Sequence, residues 1–175
     1  MRLREALSLL AGSVMVMLAA GAMSAPVSGA QAAGDNNPDV IEVRHYVLTL
    51  DKAQKTATAM QSLNQLVAAN PSLNAAMDAG SDSTGKKPIT QQAQDIDSKY
   101  PQVAAIIRAN GLATREFIVL TGAIINDMGW VSMKKSGMVP AYPPGMITPA
   151  NAALIEGNWD AFQALTAKMT PPDSK

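Results

Sequence analysis

The chain has 175 residues, with 14 Lys+Arg against 14 Asp+Glu, one His and no Cys. So even a balance leaves no basic stripe, and two Phe, two Trp and three Tyr are too few for base-stacking platforms, which excludes nucleic acid as an expected partner. Without cysteine there is no disulfide framework, thiol nucleophile, thiolate zinc site or lipid-bearing cysteine, and one histidine cannot build a His-rich metal centre.

Residues 1–32 read as a secretory signal. Arg2 and Arg4 form a positive start, Ala6 to Ala25 carry no charge, and Ala30-Gln31-Ala32 offers small residues around a cleavage point. A cut after Ala25 and retention as an N-terminal membrane anchor are the alternatives, because about 20 apolar residues span a bilayer. Gly12, Gly21, Pro26 and Gly29 weaken a stable spanning helix. The expected product is exported, periplasmic or secreted, without a stable membrane anchor after cleavage. Its remaining length suits a single domain.

Residues 33–39, with Gly34, Asn36, Asn37 and Pro38, predict a flexible leader, and 40–170 a helical domain followed by a short tail at 171–175. Residues 40–50 fit two periods: Ile41, Val43 and Val47 alternate as in a strand, while Val40, Val43, Val47 and Leu50 keep helical spacing. The β-branched content favours an extended segment over 40–48. A helix is expected over 51–69, capped by Thr49 or Asp51, with Ala53, Ala57, Met60, Leu63, Leu66 and Val67 on one stripe. Asn70-Pro71 starts the next, ending at Gly80, and Ser81 to Pro88 is a polar loop with solvated Lys86 and Lys87. Thr90 opens a short helix that Tyr100-Pro101 interrupts, and Pro101 begins another that closes at Asn110-Gly111.

The longest expected helix is Thr114 to Lys135. Phe117, Leu120, Ile124, Met128 and Val131 form one apolar face and Ile118, Gly122, Ile125 and Gly129 a second, which places this helix at the centre, with Gly122 and Gly129 admitting close neighbours. Gly137 ends it. Pro140, Pro143, Pro144 and Gly145 exclude regular helix, and Thr148-Pro149 caps a last helix over 149–169, continuous or bent at Gly157-Asn158. The expected fold is therefore all-α, a single small bundle of about five helices.

Chemistry-bearing residues are sparse. His45 is the one histidine, the side-chain type whose unperturbed charge change falls near neutrality, so a general base or axial haem ligand of the usual kind falls to it, with Arg44 and Tyr46 placed to orient a ligand; an exposed histidine and a packing tyrosine are the plainer readings. Asn126-Asp127 interrupts the apolar helix, and a carboxylate there is costly unless paired. Asp127 nevertheless shares a mixed face with Glu116, Trp130 and Lys134, so it can also meet water or Lys134. No Gly-x-Ser-x-Gly elbow surrounds any serine after residue 32, and Gly80 to Lys87 lacks the full Gly-x4-Gly-Lys-Ser/Thr phosphate pattern. Pro140, Tyr142, Pro143 and Pro144 suit docking to a partner, or serve as a connector. The methionines from Met60 to Met169 either line a plastic apolar pocket or fill the core.

The stretch Tyr100-Pro101 through Gly111-Leu112-Ala113-Thr114-Arg115-Glu116-Phe117, with the later Pro149-Ala150-Asn151, resembles small exported bacterial proteins described only as uncharacterised. The resemblance covers roughly residues 48–165. Such sequences typically read Gly-Leu-Thr-Pro-Arg-Glu-aromatic at this turn, whereas Ala113-Thr114 stands here for Thr-Pro, which shifts the expected cap by one residue. It implies an all-helical fold and a cell-envelope setting and transfers no catalytic or binding residue. The function expected is binding without catalysis, with no cofactor and with an unknown protein or a small apolar ligand as partner. A pocket for an apolar ligand or haem at His45 is the alternative, and an enzyme using His45 and Asp127 comes third. An apolar ligand calls for an enclosed pocket; a protein partner calls for an exposed patch beside the Pro-rich loop.

Overall fold

A computed structural model describes residues 37–81 and 87–170; the expected signal peptide, the leader up to residue 36, the loop residues 82–86 and the tail 171–175 lie outside the described residues. Among the described residues the fold is all-helical, with no strand and eight helices: α1 Pro38–His45, α2 Leu50–Ala69, α3 Pro71–Ser81, α4 Ile89–Lys99, α5 Pro101–Ala109, α6 Thr114–Lys135, α7 Pro149–Gly157 and α8 Trp159–Met169. No helix among them is long and apolar enough to cross a membrane.

The core is built around α6. Every residue from Phe117 to Ile124 is buried, because α1, α2, α4, α5 and α7 surround it. Two apolar faces on one helix thus produce the enclosed element they imply. Burying one Phe or Ile side chain contributes about 1.5–3 kcal/mol, and Phe117, Leu120, Ile124, Ile107, Ile155 and Phe162 are all 0% exposed. On α2 the stripe Ala53, Ala57, Met60, Leu63 and Val67 is buried, and its small residues let α8 pack closely along it. Thr49 caps α2, its hydroxyl accepting from the Lys52 N–H at 3.2 Å.

Helix ends carry the expected punctuation in two places. Gly111 adopts φ +75°, its N–H donating to the Arg108 carbonyl and the Leu112 N–H to Ile107, the paired bonds of a Schellman stop. Gly137 closes α6 in the same way through Lys134 and Met133.

Several expectations are corrected. Residues 38–45 form a helix, not an extended segment: Asn37 caps it, accepting from the Asp39 N–H at 3.0 Å, and Pro38 occupies the first turn. Asn37 to Asp39 therefore belong to this helix and not to a leader. Pro149 to Met169 is two helices and not one, since Asn158 bonds back three residues, to Ile155, while Ile155, Phe162 and Leu165 stay buried. These two changes account for most of the excess over about five helices. Thr90 does not open α4, which begins at Ile89; the Ile89 N–H instead donates to the Asp39 carboxylate, 50 residues away, at 2.9 Å. Asn70 serves the end of α2, donating to the Leu66 carbonyl. Lys87 is not simply solvated but pairs with Asp95 at 2.7 Å. A Cβ built at Gly129 meets nothing within 4 Å, so no neighbour approaches closely there.

Candidate functional site

The turn before α6 places the first group of polar side chains. Ala113 is the N-cap and Thr114 the first helical residue; with no hydroxyl at the cap, Thr114 is free to donate instead to Asp97 at 2.6 Å, a correction to the expected shifted cap. Glu116 sits in the first turn, and its carboxylate meets Lys52 at 2.8 Å and the Tyr46 hydroxyl at 2.9 Å. The hydrogen bond from Lys52 holds Glu116 below the usual carboxylate range and raises Lys52 in return. Burial raises Tyr46, against the lowering effect of the Lys52 hydrogen bond. Tyr46 is thus held by its hydroxyl at the surface and, as follows, by its carbonyl in the interior.

Further along α6, Asp127 is 0% exposed and Asn126 is buried beside it. The Asn126 amide donates to Asp127 Oδ1 at 2.8 Å and to the Met146 carbonyl at 2.7 Å. From α7, the Asn151 amide donates to Asp127 Oδ2 and to the Tyr46 carbonyl, both at 2.7 Å, while Asn151 Oδ1 accepts from the Leu48 N–H at 3.0 Å. Thr148 makes this possible: its hydroxyl caps α7 by accepting from the Asn151 N–H, which fixes Asn151 in the first turn facing α6. One carboxylate and two amides therefore tie together α6, α7, the α1–α2 connector and the Pro-rich loop. Asp127 meets neither water at the surface nor Lys134, which pairs with Glu156. Burial pushes the Asp127 carboxyl up to about 7, and the two amide hydrogen bonds counter only part of that.

Met146 also borders a groove of about 340 Å³, open to solvent and lined by Ile41, Arg44, His45, Pro144, Gly145 and Met146. His45 is exposed on the α1 wall and Met146 stands on the facing loop. Of the large hydrophobic residues exposed among those described, Ile41 lines this groove, while Val47 lies on the connector after α1 and Met138 just past the end of α6. A second open hollow, about 480 Å³, lies between α2, α3 and the α4–α5 junction around Leu73, Lys99 and Tyr100.

Of the sequence candidates, Tyr46, Asn126 and Asp127 are joined in one network, and His45 and Pro144 share the groove beside it. Trp130 is half-buried against the core and outside both. Pro140 is exposed, whereas Tyr142 is held down, its hydroxyl donating to Glu156 at 2.6 Å under the Lys134 ammonium, 4.5 Å from its ring. Burial first, and Glu156 second, raise the Tyr142 phenol. Pro143 is half-buried. The methionines are dispersed: Met60 is core, Met77, Met128 and Met169 pack against it, and Met138 is exposed. Among the described residues no three His, Asp or Glu side chains converge as metal ligands. Asn151 was not singled out by sequence reasoning; a polar residue on the Ala152–Ile155 face of a capped helix was the available signal. No family model, curated protein or solved structure matches this chain, and the resemblance rests on the residues that carry it, Tyr100 to Phe117 and Pro149 to Asn151.

Proposed function

We propose that the protein is a non-catalytic binding domain of the cell envelope, exported by its first 32 residues, whose groove between α1 and the Pro-rich loop receives an apolar segment of another protein. The observation that carries this reading is the groove itself, which is open to solvent and has the exposed Ile41 side chain, Pro144 and Met146 in its lining. An apolar side chain exposed in a concave surface is a feature of partner-binding sites. Both described hollows are open to solvent, which favours a protein segment over an enclosed apolar ligand. Asp127 supports no catalytic role in this reading, since its oxygens face amides and not the groove.

A photo-crosslinking residue placed at Ile41, with a control at Gln163 on the exposed side of α8, tests the groove in the producing cell. A single discrete adduct at Ile41, lost in a Met146→Asp variant and absent at Gln163, is expected. Equal adducts at both positions overturn the docking surface. A Soret band or a retained small-molecule mass in the purified protein would transfer the groove to the haem or apolar-ligand alternative. Sequencing the N-terminus tests export separately: Ala33 supports the cut after Ala32, Pro26 the earlier one, and Met1 a retained leader.

A further inference from the structure

The chain has no cysteine, so its sulfur chemistry falls to methionine alone. A thioether takes up oxygen from peroxides, and how readily it does so follows its access to solvent. Access is graded across the described methionines. Met60 is 2% exposed in the core; Met77, Met128 and Met169 are half-buried against that core, and Met133 and Met146 are half-buried in the last turn of α6 and on the groove loop. Met138 stands apart at 69% exposed and is not among the residues packed against the core.

The local fold explains that exposure. At the stop of α6, Gly137 donates to the Lys134 carbonyl at 3.0 Å and the Met138 N–H to the Met133 carbonyl at 2.9 Å. Backbone bonds therefore hold Met138 in place, and its side chain extends into solvent without supporting its neighbours. Sulfoxide formation turns an apolar side chain into a polar one. At Met138 the added oxygen meets water, whereas at Met60 it enters a site closed to water, where a polar group without a hydrogen bond is costly. The same reaction is thus harmless to the fold at one position and damaging at the other.

We propose that Met138 is a modification site for hydroperoxides, converted to the sulfoxide in the folded protein without loss of structure, while the buried methionines react only as the helices around them open. A sulfur lone pair attacks the hydroxyl oxygen of the hydroperoxide, and the S–O bond forms as the O–O bond breaks. The proton of that oxygen passes to the leaving oxygen, which departs as water or an alcohol. Sulfur loses two electrons and the peroxide gains them, so the step needs no other reactant. The site goes beyond the binding reading and stands whatever the groove receives.

Dilute hydrogen peroxide applied to the purified full chain, quenched at intervals with free methionine and read by peptide mass spectrometry, tests the site. Met138 sulfoxide is expected to form at least about tenfold faster than Met60 sulfoxide, with Met133 and Met146 between them, and the spread should collapse in concentrated guanidinium. Met138→Leu should remove the fast phase and leave the other rates unchanged. Protein oxidised once, at Met138, should keep the denaturation midpoint of the untreated chain. Met133 or Met146 reacting as fast as Met138 overturns the proposal, as does a fast phase that survives in Met138→Leu. So does a spread that is the same in the folded and unfolded chains, which traces it to local sequence, or a midpoint lowered by oxidation at Met138 alone.

Discussion

Phe117–Ile124 and Asn126–Asp127 lie on one helix, separated only by Ile125, and both are buried, yet different forces hold them. The first stretch is sealed by apolar surface from five neighbouring helices, an interaction without direction that tolerates small shifts. The second depends on four amide hydrogen bonds, all from 2.7 to 2.8 Å, to groups whose positions must be right together. The apolar half makes the fold; the polar half decides which irregular segments lie against it and so shapes the groove.

Truncation should expose that contrast most strongly in the apolar half. Phe117→Ala removes a fully buried ring at the centre of the bundle, with an expected loss of about 4 kcal/mol by chemical denaturation and a lower midpoint at every pH. A loss below about 1 kcal/mol would mean that α6 is not the centre of the core. Asn151→Ala should cost about 3 kcal/mol, because it leaves the Leu48 N–H, the Tyr46 carbonyl and Asp127 Oδ2 without a partner. Its signature differs: the groove walls should lose hydrogen-exchange protection well before α6 does.

The pH dependence separates the halves again. The Asp127 carboxyl is raised from 3.8 to about 7 in the folded chain, so between those values the folded state holds a proton that the unfolded state has released. Its stabilising contribution is therefore full below about 3.8 and lost as pH rises through about 7. Between about pH 5 and 7.5 the wild type should lose on the order of 2 kcal/mol relative to Asp127→Asn, read as the difference between two denaturation series. Subtraction matters because Glu116, Asp95 and Glu156 are all lowered and act in the opposite sense, at more acidic pH.

Smaller effects sharpen the edges of the picture. Gly129→Ala, in a helical site with open space around the added methyl, should stabilise by about 0.8 kcal/mol; a loss would show that something does approach that face. Glu116→Gln breaks the half-exposed contact with Lys52 and should cost under about 1 kcal/mol, less in high salt.

The local signals were legible where they act over one turn of helix. Ala53 to Val67 and Phe117 to Val131 announce buried stripes, and Gly111 and Gly137 stop helices as glycine in the left-handed region does. Residues 38–45 misled because β-branched content competes with capping chemistry, and Asn37-Pro38-Asp39 won once Val40 and Val43 had α6 to pack against. Asp127 was noticed as an anomaly and its partner was not. A carboxylate within an apolar run is visible in one dimension, but Asn151 lies 24 residues on and Tyr46 joins it from 105 positions away.

By itself, then, the sequence determined an all-helical chain with a central α6, helix stops at glycine, a cysteine-free composition and an acid interrupting an apolar run, costly there unless paired or turned to water. These follow from periodicity, backbone freedom and the cost of desolvating charge, which are properties of neighbouring residues. Only the tertiary structure decided that Asn126 and Asn151 would satisfy that acid, that Asp39 would cap α4, and that Ile41 and Met146 would face one another across a groove. Directional hydrogen bonds between distant segments exist only after packing has brought their donors and acceptors within reach.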